Sequence, residues 1–207
     1  MKPIYTEYNR YLLDEVISAL QKDIRRANER NAMYWSLELI PKFESYLWQR
    51  LCVIVNEDIG IANPQLLLLV PQQRALYMEF REAGKDGSAR LVLANVILLM
   101  CRSEKTRIAD HFQCFVTQER VQTNFRPEIP DYALDKHTTR GRQLKRGVDH
   151  WLKIGCQLEY QADTHDPYAE MAYLFWESPN FKKVEWGKRK KKGRKDEEED
   201  DQLPLEM

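Results

Sequence analysis

Residues 31–64 read NAMYWSLELIPKFESYLWQRLCVIVNEDIGIANP, and this stretch decides the fold because it combines an aromatic pair, an amphipathic helix and an acidic corner. The aromatic pair is Tyr34-Trp35, and the corner starts at Glu57-Asp58 and ends at Asn63-Pro64. Between them, apolar side chains recur at the three- and four-residue spacing of a helix. They are Phe43, Leu47, Leu51, Ile54 and Val55. We therefore predict a core-facing helix here, and a second helix that begins at Pro64, where proline is favoured.

The same helical spacing extends over most of the chain. An upstream stripe predicts a first core-facing helix. Its members are Leu13, Val16, Ile17, Leu20 and Ile24. Downstream, we predict helices at 75–83 after a kink or end at Pro71, at 88–100, from Ser103, at about 139–154 and after Asp166-Pro167. In the helix from Ser103, the apolar side chains predicted to point inward are Ile108, Phe112, Phe115 and Val116. No segment alternates with the period of a strand for long, so the predicted fold is all-α.

These elements resemble the C-terminal domain of the RarA/MgsA family of clamp-loader-like AAA+ ATPases, the bacterial relatives of the Werner helicase-interacting protein. The likeness runs in order over roughly residues 12–160, and it continues at 94–105 and 132–147. The residues that match the family motif are Tyr34, Trp35, Arg50, Glu57, Asp58, Gly60 and Pro64. The resemblance implies a multi-helix orthogonal bundle like the clamp-loader collar, self-assembly that is commonly tetrameric, and a structural role for the corner. We expect Glu57-Asp58 to accept backbone hydrogen bonds at the turn before Asn63.

The chain carries no ATP-binding loop. Such a loop needs the pattern G-x-x-x-x-G-K-[ST], because glycine amides must approach the phosphates and a hydroxyl must reach Mg²⁺. No string of this kind occurs among the 207 residues, and about ten residues precede the first predicted helix. We therefore expect a post-ATPase domain standing alone, which is not an enzyme and needs no cofactor.

Composition predicts one helical domain at 1–180 and a disordered tail at 181–207. The four cysteines show no C-x-x-C spacing for zinc, which suggests a reducing compartment. The longest apolar run, 91–101, is far shorter than the roughly 20 residues of a membrane helix. We expect a cytoplasmic protein without membrane contact, and association with the nucleoid is left open.

A basic surface is the best candidate for binding. On the predicted 139–154 helix, cations share one face, and a polar loop with further cations precedes them. The full set is Lys136, His137, Arg140, Arg142, Lys145, Arg146 and Lys153. Such a stripe suits phosphate contacts, which give affinity without reading sequence. An ordinary solvated helix face is the alternative interpretation.

The predicted tail adds a second basic segment. Its cations are Lys188, Arg189, Lys190, Lys191 and Lys192. The acidic run at 196–201 follows at once and would compete with nucleic acid for them.

Asp131, Asp135 and His137 allow a sharper alternative. Two carboxylates and an imidazole within seven residues could hold a divalent metal, with Lys136 assisting hydrolysis of a phosphodiester. In the simpler interpretation, Asp135 caps or braces the loop and His137 bonds to the backbone.

Four aromatic residues have two interpretations. Tyr34, Trp35, Tyr46 and Trp48 could stack on bases, or they could belong to the core or to a subunit interface. The family resemblance, together with these patterns, implies a non-catalytic accessory protein of DNA replication, recombination or repair, which self-associates and binds DNA or a replication protein. Two alternatives remain: a metal-dependent nuclease, and a purely structural oligomerisation partner of a separately encoded AAA+ ATPase.

Overall fold

Helices build the fold. The computed structural model describes residues 3–178, and within that range it contains helices but no strand, apart from an isolated bridge between Tyr5 and Leu12. The predicted all-α class is confirmed. The chain divides into two compact units, Met1–Arg126 and Pro127–Met207, which we call the N-terminal and C-terminal units. The predicted tail at 181–207 lies outside the described residues.

The N-terminal unit contains six α-helices in its described part. They are α1 (Leu13–Arg25), α2 (Glu29–Glu38), α3 (Glu44–Ile54), α4 (Pro64–Glu82), α5 (Asp86–Arg102) and α6 (Ile108–Gln122). Between α3 and α4, the chain forms a π-helical turn at Val55–Ile59 and a 3-10 turn at Gly60–Ala62. Gly60 has φ of +49°, a left-handed backbone conformation that glycine adopts without steric cost.

The core of this unit follows the predicted stripes. Leu20 and Ile24 of α1 and Leu47 and Leu51 of α3 are fully buried, which confirms both core-facing helices. Each such side chain stabilises the fold by roughly 1.5–3 kcal/mol through burial. Burial also raises the pKa of Cys101 to about 11, so this thiol is a packed apolar group rather than a reactive one.

Three helix boundaries differ from the predicted ones. The start of α4 at Pro64 is confirmed, but α4 continues through Pro71 to Glu82 instead of ending there. Helix α5 begins at Asp86, two residues before the predicted cap at Ser88. Helix α6 begins at Ile108, because 104–107 form an irregular connection after Ser103.

The apolar side of α6 is exposed, so the prediction that it points inward is wrong. Ile108 is 51% exposed, Phe112 67%, Phe115 62% and Val116 43%, and α6 contains no buried residue. The reason is that α6 makes its main contacts with the rest of its unit at the two turns that precede α4. The apolar residues have the predicted helical spacing, but no described element of the unit covers them.

The C-terminal unit, described over 127–178, has shorter elements. They are a 3-10 turn at Asp131–Ala133, α7 (Thr139–Gln143), α8 (Val148–His150), a π-helical turn at Trp151–Gly155 and α9 (Ala169–Glu177). No helix within 3–178 is long and apolar enough to cross a membrane.

The single helix predicted at about 139–154 is wrong. Helix α7 ends after Gln143, and Lys145 then adopts φ of +57°. The amide of Arg146 donates to the carbonyl of Gly141 at 3.0 Å. The amide of Lys145 donates to the carbonyl of Arg142, also at 3.0 Å. This pair of bonds is the Schellman arrangement that terminates helices, so the chain reverses before α8 starts.

Candidate nucleic-acid interface

The acidic corner is an ion-pair network between α1 and the π-helical turn. Arg25 Nε donates to Asp58 Oδ1 at 2.7 Å, and Arg25 Nη2 donates to Glu57 Oε1 at 2.8 Å. Gln21 Nε2 donates to Asp58 Oδ2 at 3.1 Å and to Glu57 Oε2 at 2.9 Å. Arg50 joins the network by donating to Gln21 Oε1 at 2.7 Å. Since Asp58 is only 1% exposed, these donors supply the partners that water gives an exposed carboxylate.

Helix α6 is attached to the same corner. Arg107 Nη2 donates to Glu57 Oε1 at 3.1 Å and to Asp110 Oδ2 at 2.6 Å, and the amide of Thr106 donates to the carbonyl of Asp58 at 2.9 Å. The expectation that the two carboxylates accept backbone amides before Asn63 is therefore wrong, because side chains fill those positions. The sequence analysis did not identify Arg25 and Arg107 as partners of the corner. The one sequence feature that pointed to them was Gln21 and Arg25, two polar residues four apart on α1.

The aromatic residues of the N-terminal unit have different environments. Trp48 is fully buried against Tyr77, so it belongs to the core. Trp35 donates from Nε1 to Asp23 Oδ2 at 2.8 Å and packs edge-to-face on Tyr34. Tyr34 and Tyr46 are 43% and 40% exposed. Of the four residues considered for base stacking, Trp48 is excluded.

The acidic residues of the predicted metal loop bind separate partners. Asp131 Oδ1 lies 2.5 Å from Arg146 Nη2, and this guanidinium lowers the pKa of Asp131. Asp135 accepts from the amide of His137 at 2.9 Å and lies 2.9 Å from its Nδ1; these bonds lower the pKa of Asp135. Within 3–178, no group of three or more His, Cys, Asp and Glu side chains is placed to hold a metal ion.

The break after α7 separates the cations that were predicted to share one helix face. Arg146 is 18% exposed and donates to the carbonyls of Asp131 and Leu134 at 2.8 and 2.9 Å, so it holds the preceding loop. Lys153 Nζ lies 2.6 Å from Asp149 Oδ1. The predicted stripe is therefore wrong as a continuous surface, and Arg146 is a structural residue within it.

A smaller exposed basic surface remains around α7. Arg140, Arg142 and Lys145 are exposed, and Thr138 fixes the start of α7 by accepting the amide of Gly141 at 3.0 Å. Arg142 also donates to the carbonyl of His137 at 3.0 Å, which ties the helix to the loop. The predicted tail cations at 188–192 lie outside the described residues.

Comparison with known proteins places these features in a family. The family model described as "MgsA AAA+ ATPase C terminal" matches residues 27–200. Replication-associated recombination protein A of Bacillus subtilis (strain 168) is 28% identical over 167 residues, which are 77% of this chain and 35% of that protein. The protein of the same name from Escherichia coli (strain K12) is 24% identical over 75% of this chain and 32% of its own length.

A eukaryotic relative matches as well. ATPase WRNIP1 of Dictyostelium discoideum is 24% identical over 66% of this chain and 15% of its own length. The chain thus spans about a third of the length of its bacterial relatives and 15% of the length of the Dictyostelium protein. Because the family model covers both the acidic corner and the α7 region, this chain belongs to the family of MgsA AAA+ ATPase C-terminal domains.

Proposed function

We propose that this chain is a non-catalytic accessory of DNA replication and recombination, which assembles with copies of itself and binds DNA. The names of its bacterial relatives support the replication and recombination role. The exposed apolar face of α6 carries the assembly proposal. The cations of α7 support DNA binding, and a replication protein is the alternative partner.

The α6 face is formed by Ile108, Phe112, Phe115 and Val116, which lie on one side of the helix at i, i+4, i+7 and i+8. All four are at least 43% exposed, and burying a side chain of this size is worth roughly 1.5–3 kcal/mol. An exposed apolar patch of this kind typically marks an interaction surface. We therefore assign the α6 face to subunit assembly.

A second copy of this chain is the occupant that the charges favour. In an antiparallel pair of α6 helices centred on Phe115, His111 of one copy faces Glu119 of the other, and Phe115 meets its own symmetry mate. The contact is then self-complementary, as a two-fold interface requires. Of the charged residues on α6, Asp110 points away from this face and pairs with Arg107, whereas Glu119 and Arg120 offset each other, so the surface does not select a strongly charged partner.

Light scattering coupled to size exclusion tests the assembly. At tens of micromolar, we expect a mass above the 24.7 kDa of one chain, and we expect Phe112→Asp with Phe115→Asp to give a monomer. Val121→Asp is the matched control, because Val121 is 68% exposed but lies on the opposite side of α6. A monomeric wild type, or equal dissociation by the control, would refute assembly through this face.

DNA binding is assigned to Arg140, Arg142 and Lys145, together with the tail cations at 188–192. Contacts to phosphates release counterions, so affinity should be independent of sequence and should fall with a log-log salt slope of roughly −3 for three to four contacts. Arg146 and Lys153 are left out of this set because both already have acidic partners.

Fluorescence anisotropy with labelled DNA tests this assignment. Arg140→Glu with Lys145→Glu should weaken binding and reduce the salt slope. The control is Lys85→Glu with Arg90→Glu, which makes the same charge change at exposed positions of the N-terminal unit. Wild-type binding no tighter than that of the α7 variant would remove α7 from the binding surface. Absence of wild-type binding at low salt would exclude DNA and leave a replication protein as the partner.

We also propose that this chain catalyses neither ATP hydrolysis nor DNA cleavage. The chain has no phosphate-binding loop, and the described residues do not group Asp131, Asp135 and His137 around a cation site. We expect no ATP hydrolysis and no Mg²⁺- or Mn²⁺-dependent DNA cleavage by this chain. DNA cleavage that Asp135→Ala abolishes would favour the nuclease alternative. Assembly with a separately encoded AAA+ ATPase, without DNA binding, would favour the purely structural alternative.

A further inference from the structure

The C-terminal unit carries a row of four aromatic rings. The ring centroids of His137 and Trp151 are 5.6 Å apart, those of Trp151 and Trp176 are 5.2 Å apart, and those of Tyr173 and Trp176 are 6.0 Å apart. The loop before α7, the π-helical turn and α9 each contribute to this aromatic row.

The aromatic row lies at the surface. The His137 side chain is 60% exposed, Tyr173 is 43% exposed and Trp176 is 37% exposed. In the described part of this unit, Leu134 is the only large apolar residue that is buried. The rings therefore hold one another in position while parts of three of them remain accessible to a ligand.

Cations adjoin the row. Lys136 Nζ lies 4.4 Å from the centroid of the Trp151 ring, and Arg142 is bonded to the carbonyl of His137. The carboxylate of Asp135 lies 2.9 Å from His137 Nδ1, at the end of the row away from Tyr173. Accessible rings and positive charge thus lie side by side on one small surface.

We infer that this surface is a binding site for single-stranded DNA, in which bases stack on the aromatic row and phosphates contact Lys136 and the α7 cations. Aromatic rings accept any base because every base has a flat face, and nearby cations follow the backbone. A duplex keeps its bases stacked on one another, so it can use the cations but not the rings. The inference rests on the proposed DNA binding and specifies the form of DNA.

The test compares a single strand of about 15 nucleotides with its duplex by fluorescence anisotropy at equal salt. We expect the single strand to bind more tightly. Trp176→Ala should weaken single-strand binding by at least about fivefold, which is the lower end of the effect of losing one stacked base. It should leave duplex binding nearly unchanged. Trp176→Phe should restore most of the affinity because it restores a flat ring.

Two further variants distinguish loss of the stacking site from loss of the folded structure. Tyr173→Ala removes an exposed ring at one end of the row and should also weaken single-strand binding selectively. Tyr160→Ala is the matched control, because Tyr160 is fully exposed and contacts no other aromatic ring within 3–178. If Trp176→Ala and Tyr173→Ala bind the single strand like wild type, or lose both DNA forms equally, the stacking site is refuted. No binding of wild type to either form would refute the proposed DNA binding as well.

Discussion

Arg25 Nε lies 2.7 Å from Asp58 Oδ1, which joins the last turn of α1 to the π-helical turn across 33 residues of sequence. Asp58 is 1% exposed, whereas the Arg25 side chain is 28% exposed. The carboxylate is therefore the buried member of the pair, and its side-chain partners come from α1 and from Arg107. The same corner contacts the segment before α6 through Arg107 and the amide of Thr106.

Arg25→Ala should be strongly destabilising. Without this guanidinium, Asp58 keeps Gln21 and the more distant Arg107, whose Nε lies 3.5 Å away. Removing one partner of a buried pair leaves an incompletely compensated charge, so we expect the free energy of unfolding to fall by about 3 kcal/mol. Urea denaturation followed by circular dichroism would measure it.

Arg102→Ala is the control for that experiment. Arg102 donates to Glu29 at 2.7 Å, but its side chain is 68% exposed, so water replaces the lost pair. Equal destabilisation by the two variants would contradict the assigned role of the buried corner.

The buried carboxylate of Glu38 should make the stability of the fold depend on pH. Burial alone would raise the pKa of Glu38, but donation from Thr6 Oγ1 at 2.6 Å and from the amide and side chain of Asn9 at 3.0 and 2.7 Å lowers it overall. A lowered native pKa stabilises the fold above the unfolded pKa of about 4.3, and this stability is lost as pH falls through the native pKa.

We therefore expect Glu38→Gln to be less stable than wild type by about 2 kcal/mol at neutral pH, because charge-assisted bonds are lost. The difference should begin to narrow as pH falls below the unfolded pKa of about 4.3, and it should vanish only below the lowered native pKa, where Glu38 is protonated in both states. Chemical denaturation of both proteins from pH 7 to pH 3 checks this. The exposed carboxylate of Glu79 provides the control Glu79→Gln, and a difference that stays constant with pH would contradict the role of Glu38.

The sequence predicted the parts of the fold that depend on local patterns. The stripes ending at Ile24 and Val55 repeat at helical spacing, and both are buried in the core. The start of α4 follows from Pro64 in the same way. These features could be predicted because helical periodicity and the fixed geometry of proline depend only on residues close together in the sequence.

The other features depend on contacts between distant residues. Spacing alone placed Phe112 and Phe115 on one face, but whether another helix covers that face depends on the tertiary packing. The break at Lys145 could not be seen, because a lysine with positive φ has no sequence signature. Arg146 was counted as a DNA contact, although carbonyls at 131 and 134 hold it in the loop.

Ala27→Gly should stabilise the N-terminal unit. Ala27 has φ of +57° at the end of α1, where the amide of Asn28 donates to the carbonyl of Asp23 at 2.9 Å. This is the left-handed position of a Schellman motif, at which a side chain costs roughly 1–2 kcal/mol relative to glycine. Part of that gain is lost to the greater freedom of glycine in the unfolded chain, so we expect a net increase of about 0.5–1 kcal/mol. Thermal denaturation would detect it, and a lower midpoint would contradict the prediction.

Gly141→Ala should unfold the C-terminal unit. A Cβ at this position would lie 1.8 Å from the carbonyl oxygen of Asp135 and 2.8 Å from the carbonyl carbon of Leu134. Both are backbone atoms, so no side chain can rotate away to make room. The loop that carries Lys136 would have to separate from α7, and the exposed cations would lose their common surface.

This variant also separates the two proposed activities. Gly141→Ala should weaken DNA binding in anisotropy by removing the contribution of the α7 surface, while light scattering still shows assembly, because α6 belongs to the N-terminal unit. Gly147→Ala is the matched control, since a Cβ there would meet no atom within 4 Å. Hydrogen exchange should show faster exchange over 127–178 for Gly141→Ala alone. If both variants bind DNA like wild type, the close contact between Gly141 and Asp135 does not organise the binding surface, and the DNA contacts must lie elsewhere in the chain.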